Sequence, residues 1–326
     1  MTQPTQIVGN YQFLGVVDKP KAGVAYKVRN LVTNEFEVLR ALPGATYGDP
    51  ESMKRFLREI KVQTRLSHPN IIAFHDALEL DGQLVMTTEF VDGATLAELF
   101  KQGPLPQDQA VLVVRDVLSG LEDAHSLGIV HRGITAEHAV ITESGAVKLG
   151  GFGLAKPASD VNLTQAGVVL GDARYVSPEQ VMGTGALDGR ADIYSVGVLL
   201  FQALTGRVPF TGTNDFDIMT AQVSTEPPRP SSLNPAIAPE LERIVLKALA
   251  KKPSERFQDA KQFRTALEEL KLPAGVAVHP AKTAPPVMAP RFALQTLSGG
   301  TPRIALVAAL VCVAVALIVL FLIKMH

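Results

Sequence analysis

The residues with chemistry to offer gather in one stretch, HRGITAEHAVITESGAVKLGGFG, running from His131 to Gly153. His131, Arg132, Glu137 and His138 bring two imidazoles, a guanidinium and a carboxylate to it, and His125 lies just upstream. Imidazole can carry a proton near neutral pH or bind zinc. The spacing of His125, His131 and His138 matches no common zinc pattern, so no metal site is expected there. His131 reads instead as a core packing residue. Val140-Ile141-Thr142 and Val147-Lys148-Leu149 are extended segments about a turn at Ser144-Gly145, so the stretch reads as strand, turn, strand.

In order and spacing this stretch resembles the catalytic and metal-binding core of protein kinases, whose signatures are H-R-D-x-x-x-x-N and D-F-G. The departures fall on the positions that do chemistry. Gly133 stands where the family has its catalytic Asp, His138 where it has a metal-binding Asn, and Gly151 where it has a metal-binding Asp. Magnesium wants oxygen ligands in octahedral geometry; glycine has no side chain and imidazole is a poor replacement. Loss of the general base alone is expected to cost about 10²- to 10⁴-fold in rate.

The same resemblance locates a vestigial nucleotide cleft at Gly23, Arg40, Glu59, Thr88, Glu89 and Val91. The family's Gly-rich loop is here Asp18-Lys19-Pro20-Lys21-Ala22-Gly23, where only the last glycine remains, Asp18 adds negative charge and Pro20 lacks an N–H. The lysine of the third strand is replaced by Arg40 in Glu37-Val38-Leu39-Arg40, which keeps the charge but not the shape. Glu59, within RFLREI, holds the helix-C glutamate position and is expected to pair with Arg40. Thr88 falls at the gatekeeper and Glu89-Phe90-Val91 at the hinge, where nothing forbids an adenine-sized ligand. Lys19 or Lys21 could stand in for the lost lysine, and Glu137 neighbours the lost metal position. The plainer reading of each is a solvated or structural charge.

What is retained is architectural: His131, Arg132, Phe152, Gly153, Glu179, Asp192 and Arg256, with Glu59 on helix C. Gly171 to Glu179 (GDARYVSPE) resembles G-T-P-R-Y-x-S-P-E, with Asp172 in place of the substrate-side Thr. The resemblance implies that Asp192 anchors the catalytic-loop backbone. It also implies that Arg256, in Pro253-Ser254-Glu255-Arg256-Phe257, pairs with Glu179.

The elements that must position these residues follow from periodicity and capping. Tyr11–Val17, Val24–Asn30 and Glu35–Leu42 alternate as antiparallel strands. Asp49-Pro50 opens a helix as N-cap and first helical residue. Two more strands flank the turn Asp81-Gly82, and helices are expected at roughly 95–100, 108–127, 213–223, 239–250 and 259–271. The resemblance adds a buried helix opened by Arg190-Ala191-Asp192. The implied fold class is α+β, a bilobal protein-kinase-like domain over residues 11–272. Its antiparallel N-lobe with helix C takes residues 11–91 and its mainly helical C-lobe 92–272, after a tail at 1–10.

Residues 273–303 read as a Pro/Ala-rich linker, and Ile304–Ile323 as a transmembrane helix: 20 residues without a charge, spanning about 30 Å. Residues 324–326 are a short tail. Lys282, Arg291 and Arg303 before the helix favour a cytoplasmic kinase-like domain, making the chain a single-pass membrane protein. MTQPTQIVGN has no signal-peptide character, and the lone Cys312 leaves no partner for a disulfide. Residues 1–272 carry 27 bases against 32 acids, which argues against nucleic acid as a partner. The expected function is that of a membrane-tethered pseudokinase of the bacterial, eukaryotic-like serine/threonine kinase type, acting by binding other signalling proteins. Two alternatives are an active kinase with relocated catalytic groups, and a nucleotide sensor without turnover. No cofactor is expected; ATP and magnesium enter only with the alternatives.

Overall fold

Three sheets among the described residues, of six, three and two strands, and a set of helices carry the site. The computed structural model describes residues 6–18, 24–42, 49–157, 171–183 and 187–270, all within one compact unit. Lys19–Gly23, residues 158–170, the linker and the apolar Ile304–Ile323 segment lie outside the described residues. Among the described residues no helix is long and apolar enough to cross a membrane.

The N-terminal lobe is an antiparallel sheet in the order β1-β2-β3-β4-β6-β5. Its strands are β1 (Ile7–Val8), β2 (Tyr11–Asp18), β3 (Val24–Asn30), β4 (Phe36–Ala41), β5 (Phe74–Leu80) and β6 (Gln83–Glu89). β1 departs from the expected N-terminal tail: Val8 pairs with Tyr11 across Gly9-Asn10, so Ile7–Val8 folds back as an edge strand. Asp81 and Gly82 both have positive φ, 47° and 76°, which suits the tight β5–β6 hairpin. Helix α1 (Pro50–Gln63) starts where Asp49 accepts from the backbone N–H groups of Glu51 and Ser52 at 3.3 and 3.0 Å. Its Phe56 packs with Leu42 and Met86 under the sheet.

The second lobe begins with β7 (Gly93–Thr95), which pairs with β9 (Ala139–Thr142), itself paired with β10 (Val147–Leu149). A Cβ on Gly93 would stand 2.1 Å from the Ile141 carbonyl oxygen, so only glycine permits that approach. Around this small sheet lie α2 (Leu96–Phe100), α3 (Gln107–Ser126), the short strands β8 (Ile129–Val130) and β11 (Lys156–Pro157), and α4 (Pro178–Met182). Then follow α5 (Gly189–Thr205), α6 (Asp215–Ser224), α7 (Pro239–Ala248) and α8 (Ala260–Glu268). Helix ends differ from the sequence expectations by a few residues, and α4, too short for a periodic signal, was not anticipated. α5 is apolar almost all round and enclosed from Ala191 to Phe201, with Tyr194, Val198 and Phe201 at 0 % exposure; it forms the axis on which the functional loop rests.

Candidate functional site

The loop from His131 to His138 is held from below by α5. Asp192, fully buried, accepts from the backbone N–H of His131 through Oδ2 and of Arg132 through Oδ1, both at 2.8 Å. The His125 ring completes this cage, its Nε2 lying 2.8 Å from Asp192 Oδ2. Burial alone would raise the Asp192 carboxyl, but the His125 hydrogen bond, nearby imidazoles and backbone donors outweigh it and hold it below the usual carboxylate range. The grip forces Arg132 to φ 63°, a left-handed backbone that an L-residue adopts at some cost. Gln180 of α4 adds a further tie, donating to the Arg132 carbonyl at 3.0 Å.

His131 is fully buried, its ring 4.4 Å from the Phe152 ring centre to centre. Nε2–H donates to the Gly150 carbonyl at 2.8 Å, and Nδ1 accepts from the Gly133 N–H at 3.2 Å. Both ring nitrogens are therefore satisfied in the neutral form. Burial pushes the His131 pKa down to about 4, with Asp192 opposing. The three histidines do not share a centre: His125 is committed to Asp192 and His131 to Gly150 and Gly133. His138 donates from Nδ1 to the Gly133 carbonyl at 2.6 Å.

His138 is the decisive side chain. Gly151 adopts φ 78°, and a Cβ placed on it would stand 2.4 Å from His138 Cγ and 2.7 Å from Nδ1. The imidazole thus occupies the space through which a residue-151 side chain would project. At Gly133 a Cβ would meet Leu154 Cδ1 at 3.2 Å, so this position is also crowded from the Gly151–Leu154 turn. The donors present do not fit magnesium. Two of the three positions are glycine, the His138 Nδ1 is spent on a backbone carbonyl, and Glu137 is exposed.

Above the loop, Arg40 of β4 and Glu59 of α1 form an ion pair, Glu59 being 6 % exposed. Arg40 Nη2 also lies 3.3 Å from Met86 Sδ, and its guanidinium sits 5.7 Å from the Phe56 ring centre. The pair reaches the Gly151–Leu154 turn: a Cβ on Gly153 would stand 3.1 Å from Glu59 Oε2. Thr88 is buried, whereas Val91 is half-buried. Glu89 accepts from Lys148 Nζ at 2.8 Å, a contact between β6 and β10 that no motif signals. Gly23 lies outside the described residues.

Away from the cleft, Arg256 holds Glu179 with two parallel bonds of 2.7 and 2.8 Å and donates to the carbonyls of Ala250, Arg190 and Lys251. Asp172 is clamped by the Arg174 guanidinium. Sequence reasoning missed the His125–Asp192 contact and the His138–Gly151 interlock. The first joins residues far apart in the chain, and the second involves a residue with no side chain to draw notice.

Comparison with known proteins places the fold in a family. The family model for the protein kinase domain matches residues 11–267. A probable serine/threonine-protein kinase PknB of Lactococcus lactis is 38 % identical over 218 residues, covering 67 % of this chain and 35 % of that protein. Serine/threonine-protein kinase PknL of Mycobacterium tuberculosis is 36 % identical over 240 residues, covering 72 % and 60 %. The chain thus spans about a third to three fifths of the length of these relatives. The crystal structure of the Mycobacterium tuberculosis PknI kinase domain superposes with a TM-score of 0.63 at 27 % identity, covering 82 % of this chain and 99 % of that one.

Proposed function

The chain belongs to the protein kinase family, of the bacterial serine/threonine type, and from that premise we propose that it works by binding rather than by transferring phosphate. The observation that carries this reading is the His138 imidazole, seated where a residue-151 side chain would project and bonded to the Gly133 carbonyl. Phosphoryl transfer rests on positioning and on neutralising phosphate charge with lysine and metal. At the corresponding positions this chain offers glycine, imidazole, glycine and arginine. The scaffold around them is kept intact by Asp192, the Arg40–Glu59 pair and the Arg256–Glu179 pair, as a protein that presents a folded surface requires. Its partners on this reading are other signalling proteins, and neither ATP nor magnesium is called for.

Ile304–Ile323 supplies the remaining part of the proposal: a single membrane span, with the kinase-like domain on the cytoplasmic side by the charge of the preceding linker. A protein without turnover gains most from being confined where its partners are.

The test is phosphate incorporation from labelled ATP, into the chain itself and into a generic protein substrate. The native chain is expected to give none above a no-enzyme control, and magnesium to add nothing to any thermal shift caused by ATP. Incorporation that disappears on Arg40→Ala would overturn the reading.

A further inference from the structure

Helix α1 turns a line of positive charge to solvent. Lys54, Arg58 and Lys61 follow one another at intervals of four and three residues, which puts them within an arc of about 60° on the helix. Arg65 extends the line in the turn that follows. Lys54, Lys61 and Arg65 are exposed and Arg58 is half-buried. Leu57, three residues after Lys54 and four before Lys61, shares their face and is 45 % exposed. Two acids occur between Pro50 and Leu66. Glu59 is turned inward on Arg40, and Glu51 stands 3.8 Å from Lys54, an exposed pair of little strength. Among the described residues no carboxylate pairs with Lys61 or Arg65. The stretch also runs against the charge of the rest of the domain. Taking its five bases (Arg55 included) and two acids from the 27 and 32 of residues 1–272 leaves 22 against 30.

We propose that this face of α1 docks on the anionic headgroups of the membrane that holds the chain, with the four bases at the phosphates and Leu57 toward the acyl boundary. The inference rests on the membrane span proposed above and gives the domain an orientation at it. A convex helix face with four cations and one apolar residue has neither a pocket nor the desolvated apolar core on which a protein partner anchors. It suits a diffuse plane of negative charge, which the cytoplasmic leaflet presents and which attracts each basic residue brought to it. The tether is long enough. Glu268, at the end of α8, pairs with Arg115 of α3, and Arg65 donates to the carbonyl of Leu127 at the other end of α3 at 2.8 Å. Twelve residues of α3 separate those two points, about 18 Å. A linker of 31 residues, 273–303, has an r.m.s. reach of about 30 Å.

The experiment reconstitutes the full chain in vesicles of phosphatidylcholine, alone or mixed with phosphatidylglycerol. Acetylation of each lysine by a membrane-impermeant amine reagent is followed by peptide mass spectrometry. Lys101 and Lys252, exposed and on the other lobe, are the internal reference. Relative to them, Lys54 and Lys61 are expected to react at least about fivefold more slowly in the anionic vesicles than in the neutral ones, the worth of one basic residue at the leaflet. Added salt should restore the rate, and Lys61→Glu, at an exposed position, should restore it at Lys54. Equal rates in the two kinds of vesicle, or slowing that survives both salt and Lys61→Glu, would overturn the proposal. Slowing by soluble polyglutamate in neutral vesicles, with none by the anionic lipid, would also overturn it and assign the stripe to an acidic protein. A chain that alkaline carbonate extracts from the vesicles would instead overturn the membrane span, so the two failures are told apart.

Discussion

Replacing Gly151 by alanine probes the space that the His138 ring has taken. The backbone cost comes first: φ at Gly151 is 78°, a left-handed conformation that costs an L-residue about 1–2 kcal/mol. The steric cost follows, since a Cβ there would lie 2.4 Å from His138 Cγ and the ring must leave. Its 2.6 Å hydrogen bond to the Gly133 carbonyl is lost with it, a further ~0.5–1.5 kcal/mol. Gly151→Ala alone should therefore destabilise by about 1.5–3.5 kcal/mol. In a His138→Ala background only the backbone part remains, about 1–2 kcal/mol. Urea denaturation of residues 1–272 in the four proteins of this double-mutant cycle gives the coupling directly. A coupling of about 0.5–1.5 kcal/mol is expected. Costs that add to within about 0.3 kcal/mol would refute the interlock and remove the main support for a cleft without metal.

Arg256→Ala leaves Glu179 and three carbonyls without their donor and should cost about 3–5 kcal/mol, lowering the melting temperature by roughly 6–20 °C for a domain of this size; a fall of a degree or so would show that the pair is not structural. The His131 pKa is depressed to about 4 from about 6.5 in an unfolded chain, so the fold favours the neutral ring. Its contribution is complete above the unfolded value and declines as pH falls from about 6.5 to about 4, by about 3 kcal/mol in all. His131→Phe should flatten that acid limb of urea midpoint against pH, and an unchanged slope would contradict the assignment. Truncation after Pro302 should move the chain from the membrane pellet to the supernatant on fractionation; retention in the pellet would contradict the proposed anchor.

What the sequence determined by itself is what local chemistry and motif spacing encode. The N-cap at Asp49, the Asp81-Gly82 hairpin and the β3–β4 strands each depend on a few adjacent residues or a period of two, and the helix opened by Arg190 on a motif in the family's register. The partners Arg40 and Glu59, or Glu179 and Arg256, can be written down from the family's register, because that register already carries the long-range folding. That positions 133 and 151 are glycine is equally plain. Only the tertiary structure decided what occupies the space beside them. Nothing near His138 in the chain says that its ring lies against Gly151, and nothing near His125 says that it closes the Asp192 cage. The same holds for Lys148 and Glu89. Removing a side chain leaves a volume, and a volume in a close-packed interior is filled by whichever group the surrounding packing lets reach it.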